Sequence, residues 1–302
     1  MHKLRVFRSV GSTLSFRKAG EELCIAQPAV SRAVKALEDE LGLTLVERTT
    51  RRVALTPAGD ILLRHVEDAF LKIQHGTRLA KQAASGEAGN LLIGYSALAT
   101  YGPMAELVLQ YNRHKPDVIT ELRGLTSIEQ IEAVKKGAID CGLVLTVACR
   151  EPDSHFVLFR EQMVALVSRH DELANRPEIS LMEITHKPFV FGPMRRWATF
   201  RSVVDSVCLQ SGFLPNVKEE PDDVPVLLRC IQLRKGISLY GASIRESLPP
   251  DIMAIPITDA HASFEISLVW DPTNESPLTR EFVKFARHVF QNAQTGGTVE
   301  PA

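Results

Sequence analysis

Residues 15–42 carry the pattern that most constrains the fold of this chain. Ser15 can cap a short helix whose apolar residues have helical spacing, namely Phe16, Ala19 and Leu23. After a tight turn, Pro28 suits the first turn of a further helix, because its missing N–H would have no intrahelical partner there. An earlier helix is indicated by the apolar set Leu4, Phe7 and Val10. The segment therefore predicts three helices, the last two joined by a tight turn.

The third predicted helix has two distinct faces. Four apolar residues recur at i, i+4, i+7 and i+11 and predict a buried stripe, namely Val30, Val34, Leu37 and Leu41. At roughly 100° per residue, four polar residues cluster about a third of a turn away, namely Gln27, Ser31, Arg32 and Lys35. Glutamine can pair bidentately with adenine and arginine with guanine, while serine serves a base or a phosphate. The polar face predicts a helix in a DNA major groove; an ordinary solvated face is the alternative.

A basic hairpin follows this helix. Gly42 ends the helix, and residues 43–47 and 53–55 are predicted to be short strands on either side of an Arg-Thr-Thr-Arg-Arg tip. Arginine at such a tip can reach phosphates or a narrow minor groove. The pattern therefore predicts a winged helix-turn-helix over residues 1–58, with the helix-turn-helix at about 16–35. Its predicted DNA contacts are Gln27, Pro28, Ser31, Arg32, Lys35, Arg48, Arg51 and Arg52.

This segment resembles the LysR-type transcriptional regulators. The resemblance rests on Ser15-Phe16, Ala19, Leu23, Ala26-Gln27-Pro28-Ala29-Val30-Ser31, Leu37-Glu38, Leu41-Gly42, Leu45, Arg48 and Leu55-Thr56-Pro57-Ala58-Gly59. It implies a sequence-specific DNA-binding transcription regulator under the control of a small organic-acid effector. Promoter DNA, RNA polymerase and further copies of the chain are the partners that it implies. A weaker resemblance extends to about residue 290, and residues 23–28 are most similar to the members that respond to aromatic acids and their breakdown products.

Composition and charge indicate a soluble protein of two or three domains. The chain has 302 residues, of which 45% are hydrophobic and 24% charged, and its net charge is −1. Residues 1–80 hold thirteen lysines and arginines against nine acidic residues, whereas the remaining residues hold 22 against 27. This asymmetry fits a basic nucleic-acid module joined to a mildly acidic ligand module.

Several other classes of protein find no support in the sequence. Residues 1–6 lack the features of a signal peptide, and no apolar run approaches membrane-spanning length. The five cysteines form no C-x-x-C pair, which indicates reduced thiols in a cytosolic protein. The segments that follow Gly94 and Gly241 lack the second glycine of a nucleophile elbow, and there is no phosphate-cradling loop. We therefore expect a cytoplasmic protein without catalytic residues, metal site or cofactor.

A long helix is predicted after the wing. Thr56 can cap it, Pro57 opens it, and residues 57–84 form a linker helix roughly 40 Å long at 1.5 Å per residue. A heptad seam of mostly small residues runs along it, namely Leu62, Val66, Ala69, Ile73, Gly76, Ala80 and Ala83. Two such helices could pack closely in a homodimer or homotetramer; packing on its own domain is the alternative. Similar linker helices pair in LysR-type proteins, which favours the dimer.

Strands alternate with helices beyond a hinge at residues 85–90, which predicts an α/β fold with a parallel doubly wound sheet behind the helix-rich winged module. The predicted strands include 91–95, 118–122, 141–145, 164–167, 189–191, 237–240 and 264–269, and the predicted helices 103–114, 127–136, 198–211, 224–234 and 279–290. The effector domain is predicted over 91–290, with lobe I at about 91–161 and 265–290, lobe II at about 162–264, and a tail at 291–302. Two lobes joined by two crossovers would form a cleft, the plan of the LysR-type effector domain, which resembles periplasmic solute-binding proteins.

Ligands of open parallel sheets bind beyond the carboxyl ends of the strands, where helix N-termini offer unpaired N–H groups. Residues at these places are the predicted effector contacts, namely Ser96, Thr100, Thr126, Ser127, Arg195, Arg196 and Trp197. Thr126 and Ser127 fall where LysR-type regulators often contact an effector carboxylate. In the alternative, the hydroxyls cap helices, the arginines lie in solvent and Trp197 packs in the core. Benzoate-type members usually have a hydroxyl residue where Leu98 stands here, so Ser96 or Thr100 would have to replace it.

Two other functions compete with a ligand-controlled regulator. A cytosolic α/β solute-binding or enzymatic domain with an incidental basic N-terminal helical module would need residues 1–58 to be dispensable. An architectural DNA-binding protein without ligand control would need the cleft to be filled by side chains.

Overall fold

Three helices and an antiparallel hairpin open the chain, followed by a long helix. The computed structural model describes residues 1–48, 53–85, 89–150 and 154–294, and it divides into two units, Met1–Thr77 and Arg78–Ala302. The elements of the N-terminal part are α1 (His2–Thr13), α2 (Phe16–Leu23), α3 (Gln27–Leu41), β1 (Val46–Arg48), β2 (Val53–Leu55) and α4 (Pro57–Ser85). Strands β1 and β2 pair antiparallel and form the wing.

Local capping sets the ends of the first helices as predicted. The Ser15 hydroxyl accepts a hydrogen bond of 3.3 Å from the Lys18 N–H, and Gly42 ends α3 with a φ of 67°. Their apolar faces meet in one core that includes Phe7, Val30 and Val34. The prediction for Leu41 is wrong, because this side chain is 44% exposed. Leu41 is the last residue of α3, and the chain turns away from the core at Gly42.

The wing is tied to α3 and α4 by hydrogen bonds. One carboxylate oxygen of Glu38 accepts from the backbone N–H groups of Leu45 (2.8 Å) and Val46 (3.1 Å). Thr56 donates to the Thr44 carbonyl (2.7 Å) and accepts from the Gly59 N–H (3.0 Å), which caps α4 as predicted. A Cβ at Gly59 would lie 2.0 Å from the Leu45 carbonyl oxygen, so only glycine fits this crossing.

Helix α4 also packs on α1 within the first unit. Val66 is buried, and the Arg8 guanidinium lies 4.6 Å from the centre of the Phe70 ring. Helix α3, the wing and the first half of α4 therefore form one packed body.

The second unit begins with strand β3 and alternates strands with helices. Its elements are β3 (Gly89–Tyr95), α5 (Ala97–Thr100), α6 (Met104–His114), β4 (Val118–Gly124), α7 (Ser127–Lys135), β5 (Cys141–Leu145), β6 (His155–Ser168), β7 (Pro188–Val190), α8 (Met194–Gln210), β8 (Asn216–Glu219), α9 (Val224–Gln232), β9 (Ser238–Gly241), β10 (Ile252–Pro256), β11 (Ser263–Trp270) and α10 (Pro277–Gln294). No helix in the described ranges is long and apolar enough to cross a membrane.

Two lobes share this unit. In lobe I the strand order is β4-β3-β5-β11-β6, with β3, β4 and β5 parallel and β11 antiparallel to both of its neighbours. In lobe II strand β6 lies between β9 and β10, and β7 pairs with β8. The sheet is therefore mixed, whereas strand–helix alternation alone predicted a parallel one. The chain crosses between the lobes twice, at β6 and at β11. These two strands run antiparallel to each other.

Strand β6 is much longer than the predicted strand at 164–167. Its residues 155–162 pair with β11 in lobe I, and its residues 163–168 pair with β9 and β10 in lobe II. The second half is buried at every position and was visible as an apolar run, whereas the first half has a mixed pattern of burial. The crossover therefore lies inside a continuous strand.

The tether between Glu38 and the wing can be tested by mutation. We expect Glu38→Ala to lower the free energy of unfolding of the winged module by about 2 kcal/mol, because two part-buried N–H groups lose a charged acceptor. Glu40→Ala is the matched control on the same helix, since Glu40 pairs with the exposed Lys3, and we expect it to change stability little. Urea unfolding followed by circular dichroism measures both; equal effects would contradict the role of Glu38.

Candidate DNA-binding surface and interlobe cleft

The polar face of α3 is open to solvent. Gln27, Pro28, Arg32 and Lys35 are exposed and Ser31 is half-buried, all within the first nine of the 15 residues of the helix. Lys35 forms an ion pair of 3.1 Å with Asp39, whereas Arg32 has no ion pair in the described part of the chain. The helix carries no side-chain cap at Ala26, so its N-terminal dipole is open to an anion. The structure thus brings these five predicted contacts onto one accessible surface.

The basic tip of the wing adds three predicted contacts. Arg48 is the last residue of β1, and its side chain lies outside the described residues. Arg51 and Arg52 also lie outside them.

The heptad seam of α4 divides into two parts. Leu62 is half-buried against the core of the winged module and Val66 is buried, so the first two seam positions pack within their own unit. The next positions, Ala69, Ile73, Gly76 and Ala80, are exposed, and Ile73 keeps 47% of its surface. Apart from the backbone of α4 itself, no atom of the described residues lies within 4 Å of the place of a Cβ at Gly76. The side chain of Ala83 lies outside the described residues.

A cleft with a cavity volume of about 50 Å³ lies between the two lobes. Lobe I lines it at the carboxyl ends of β3, β4 and β5, and lobe II lines it with the first turns of α8. The lining residues are Ser96, Ala97, Leu98, Thr126, Ser127, Leu145, Arg196, Trp197, Thr199 and Phe200. Its place beyond the strand ends is the expected one for the ligand of an open α/β sheet.

Two hydroxyl residues of lobe I, Thr126 and Ser127, lie side by side and differ in burial. Thr126 and Glu129 form the predicted capping box, with hydrogen bonds of 3.3 and 2.7 Å, so the Thr126 hydroxyl is engaged as a cap. Ser127 is only 3% exposed, and its Oγ accepts from the Leu145 N–H (3.1 Å). An accepting hydroxyl keeps its own proton for another acceptor. Thr126 and Ser127 both accept, so each keeps a proton that a ligand could receive.

Two further hydroxyls were predicted in the loop after β3. Leu98 lines the cleft, and so does Ser96, whose Oγ is buried without a hydrogen-bond partner in the described part of the chain. Thr100 is exposed, does not line the cleft and bonds to the Ser96 carbonyl (3.3 Å). Of the two candidates to replace the hydroxyl at position 98, the geometry favours Ser96.

The two arginines at the start of α8 have different environments. The helix begins at Met194, four residues before the predicted start, so both arginines lie in its first turn. Arg195 is exposed and forms an ion pair with Asp222, outside the cleft lining. Arg196 lines the cleft and is the one charged side chain among the described lining residues. Of the two arginines that were predicted at the cleft, only Arg196 lines it in the described part of the chain.

Aromatic side chains form the lobe II wall. Trp197 is 8% exposed, and its ring centre lies 6.0 Å from that of Phe200 and 6.2 Å from that of Tyr240. A Cβ at Gly192 would come within 2.3 Å of the Trp197 ring. Trp197 thus both packs in the core and lines the cleft. Sequence reasoning missed Thr199 and Phe200, which become visible once α8 is known to include Arg196, because they follow it by one turn.

Burial perturbs two tyrosines near this wall. Burial, and then the carboxylate of Asp223, raise the pKa of Tyr101. Burial, and then Tyr101, raise the pKa of Tyr240 far above its ordinary value, so its hydroxyl stays a donor. No group of three or more metal-ligating side chains occurs within the described residues.

Comparisons with known proteins decide the family. The model of bacterial regulatory helix-turn-helix proteins of the lysR family matches residues 1–60, and that of the LysR substrate binding domain matches residues 84–291. The chain belongs to the LysR family. It is a DNA-binding transcription regulator, as the predicted resemblance implied, and the relatives it matches are named as transcriptional regulators and not as enzymes.

Two curated relatives span nearly the whole chain of this LysR-family regulator. The HTH-type transcriptional regulator AlsR of Bacillus subtilis is 30% identical over 289 residues, which cover 94% of both chains. The HTH-type transcriptional regulator BenM of Acinetobacter baylyi is 27% identical over 305 residues, covering 100% of this chain and 99% of the relative.

Solved structures show the same fold. The crystal structure of CbnR, a LysR family transcriptional regulator, matches with a TM-score of 0.80 at 22% identity over 96% of this chain and 98% of CbnR. Full-length BenM matches with a TM-score of 0.61 at 25% identity over 100% of this chain and 99% of BenM. The predicted architecture of a winged helix-turn-helix and an α/β effector-binding domain is confirmed.

Proposed function

We propose that a small organic anion, bound between the lobes, controls the binding of this regulator to promoter DNA. One observation carries the proposal: Arg196 and the hydroxyl residues Ser96 and Ser127 line the same cleft from opposite lobes. A ligand that touches both walls binds best when the lobes are at one distance, and it would thereby shift the population of their arrangements. The regulator would act in the cytoplasm as a homo-oligomer at a promoter, where RNA polymerase is its further partner.

The carboxylate class is supported by the chemistry of the lining. Arg196 offers a guanidinium, Ser127 retains a hydroxyl proton, and the Ser96 Oγ is buried and unpartnered in the described part of the chain. Charge-assisted hydrogen bonds of this kind are the strong ones. A buried hydroxyl without a partner is costly unless a ligand supplies one.

An aromatic acid is the finer version of the proposal. Phe200 and Trp197 provide a flat apolar wall next to the polar groups. One structure of the similar protein BenM is described as its effector binding domain with its effector benzoate, at 21% identity and a TM-score of 0.61. Benzoate is therefore the first aromatic acid to test on this chain, beside the aliphatic succinate.

The two adjacent arginines provide a matched pair for this test. We expect Arg196→Ala to weaken acid binding by about 1–3 kcal/mol, because the carboxylate loses its cation, whereas Arg195→Ala should bind as the wild type does. Ser127→Ala should also weaken binding. Calorimetric titration of the full chain with benzoate and with succinate measures all three. A loss in Arg195→Ala together with an unchanged Arg196→Ala would remove Arg196 from the site.

We further propose that α3 reads bases and the wing contacts the DNA backbone or minor groove. Arg32 is exposed on the same face as Gln27 and Lys35 and is not held by an ion pair in the described part of the chain. It can therefore extend towards a guanine edge. Pro28 and Ser31 lie at the same end of the helix, while Arg48, Arg51 and Arg52 remain predicted contacts of the wing.

The base-reading role of Arg32 separates it from the arginines of the wing. We expect Arg32→Ala to weaken binding to the cognate site by about 1–3 kcal/mol and binding to random DNA little, because only base contacts carry sequence information. Arg51→Ala should weaken binding to both and reduce its dependence on salt. Mobility shifts with the DNA that flanks the gene and with random DNA measure this, and equal losses for Arg32→Ala on both DNAs would contradict the role.

The exposed part of the α4 seam supports dimerisation. Ile73 stands on it as a large exposed apolar side chain, and Gly76 lies one turn further with open space in place of a Cβ. Glycine inside an exposed helix costs about 1 kcal/mol relative to alanine, so an isolated helix gains nothing from it. A second helix that packs against this position would explain the glycine, because the missing side chain lets the two backbones approach closely.

Gly76→Ala distinguishes the two interpretations of this glycine. We expect the variant to gain helix content and yet to weaken the dimer of the fragment 1–90, because each added methyl group separates the paired helices. Ile73→Glu should dissociate this dimer, with Gln74→Glu as the control that adds the same charge at a neighbouring exposed position. Sedimentation velocity at micromolar concentration measures the association. Dimers of unchanged strength in both Gly76→Ala and Ile73→Glu would contradict the seam.

A further inference from the structure

One hydrogen bond joins the two walls of the cleft. Tyr240 lies on β9 of lobe II, is 1% exposed, and donates its hydroxyl proton to the Ala97 carbonyl oxygen at 3.2 Å. Ala97 is the first residue of α5, which follows β3 in lobe I, and it lines the cleft. A side chain of one lobe therefore holds the backbone of the other at the place where a ligand would bind.

The ring of Tyr240 supports the cleft wall from behind. Its centre lies 6.0 Å from that of Phe200 and 6.2 Å from that of Trp197, and both of these rings line the cleft. On the lobe I side, the Tyr101 ring meets it edge-on at 6.0 Å. The same residue thus contacts the aromatic wall through its ring and the opposite wall through its hydroxyl.

The bond to Ala97 also fixes Ser96. Ser96 directly precedes Ala97, and its buried Oγ is unpartnered in the described part of the chain. The turn that carries both residues has only four helical residues, so little of its own hydrogen bonding holds it in place. A tether on Ala97 therefore decides where the Ser96 hydroxyl lies relative to Arg196.

We propose that Tyr240 is a positioning residue of the cleft: by binding the Ala97 carbonyl it holds Ser96 and α8 at the separation at which one small anion contacts both. This role rests on the proposed binding of an organic acid between the lobes. It is distinct from ligand contact, because Tyr240 does not line the cleft and acts through Ala97 and the rings of Trp197 and Phe200.

Two tyrosine-to-phenylalanine variants of the full chain test the proposal. Tyr240→Phe removes the tether and keeps the ring, while Tyr101→Phe removes a hydroxyl that has no hydrogen-bond partner in the described part of the chain. We expect hydrogen exchange of the backbone amides in residues 97–102 to become about three- to tenfold faster in Tyr240→Phe and to stay unchanged in Tyr101→Phe. Because Ala97 is exposed, water can replace the lost donor, and the midpoint of urea unfolding should change little.

Benzoate and succinate are the probes for the functional part of the test. For whichever of the two acids the wild type binds, we expect Tyr240→Phe to weaken the affinity for that acid about three- to tenfold and Tyr101→Phe to leave it unchanged. A role confined to the stability of lobe II would change the urea midpoint and the amide exchange of β9 instead of the amide exchange of residues 97–102.

The outcomes separate this role from the proposed function. Equal affinity in the wild type and Tyr240→Phe, or unchanged amide exchange in residues 97–102, would overturn the positioning role while acid binding stands. Binding of neither acid by the wild type would overturn acid binding in the cleft and the role with it.

Discussion

Strand β6 carries the backbone hydrogen bonds of both lobes of the C-terminal unit. Its first half pairs with β11 and its second half with β9 and β10, so neither lobe can lose it without losing part of its sheet. At the junction, the buried Glu161 carboxylate accepts from the N–H of Ser243 (2.7 Å) and from its hydroxyl (2.8 Å). One continuous hydrophobic core runs through both lobes. The cleft exists because one strand is shared and the remaining elements divide on either side of it.

Because the lobes share this strand, bonds across the cleft bear on how the two lobes are arranged. At the cleft, the hydrogen bond of Tyr240 to Ala97 joins the two lobes. A bound anion would add bonds from both walls, and its free energy of binding would favour the arrangement in which they are made together. Control by a ligand thus follows from differential contacts and needs no change inside either lobe.

In the N-terminal unit, a different set of bonds gives α3 a fixed direction. Glu38 holds the wing, Thr56 joins the wing to α4, and Gly59 allows the backbones to cross closely. A change in the direction of α4 would therefore also change the direction of α3. If two α4 helices pair through the proposed seam at Ile73 and Gly76, they would hold two copies of α3 at a set distance and so set the spacing of DNA half-sites.

The sequence by itself determined the features that depend on neighbours within about four residues. The Ser15 cap, the end of α3 at Gly42 and the capping box of Thr126 with Glu129 were all predicted, and with them the winged helix-turn-helix and the α/β alternation. Such hydrogen bonds form within one helical turn, so spacing alone reveals them. The family pattern in residues 15–59 added the class of function.

Only the tertiary structure decided the features that depend on residues far apart in the chain. The exposure of Leu41, the length of β6 and the choice of Arg196 over Arg195 depend on what packs nearby, such as Asp222 beside Arg195. The same holds for the hydrogen bond of Tyr240 to Ala97, two residues that lie 143 positions apart in the chain. Burial and long-range hydrogen bonds are properties of the packed chain, and no local pattern encodes which partner a side chain meets.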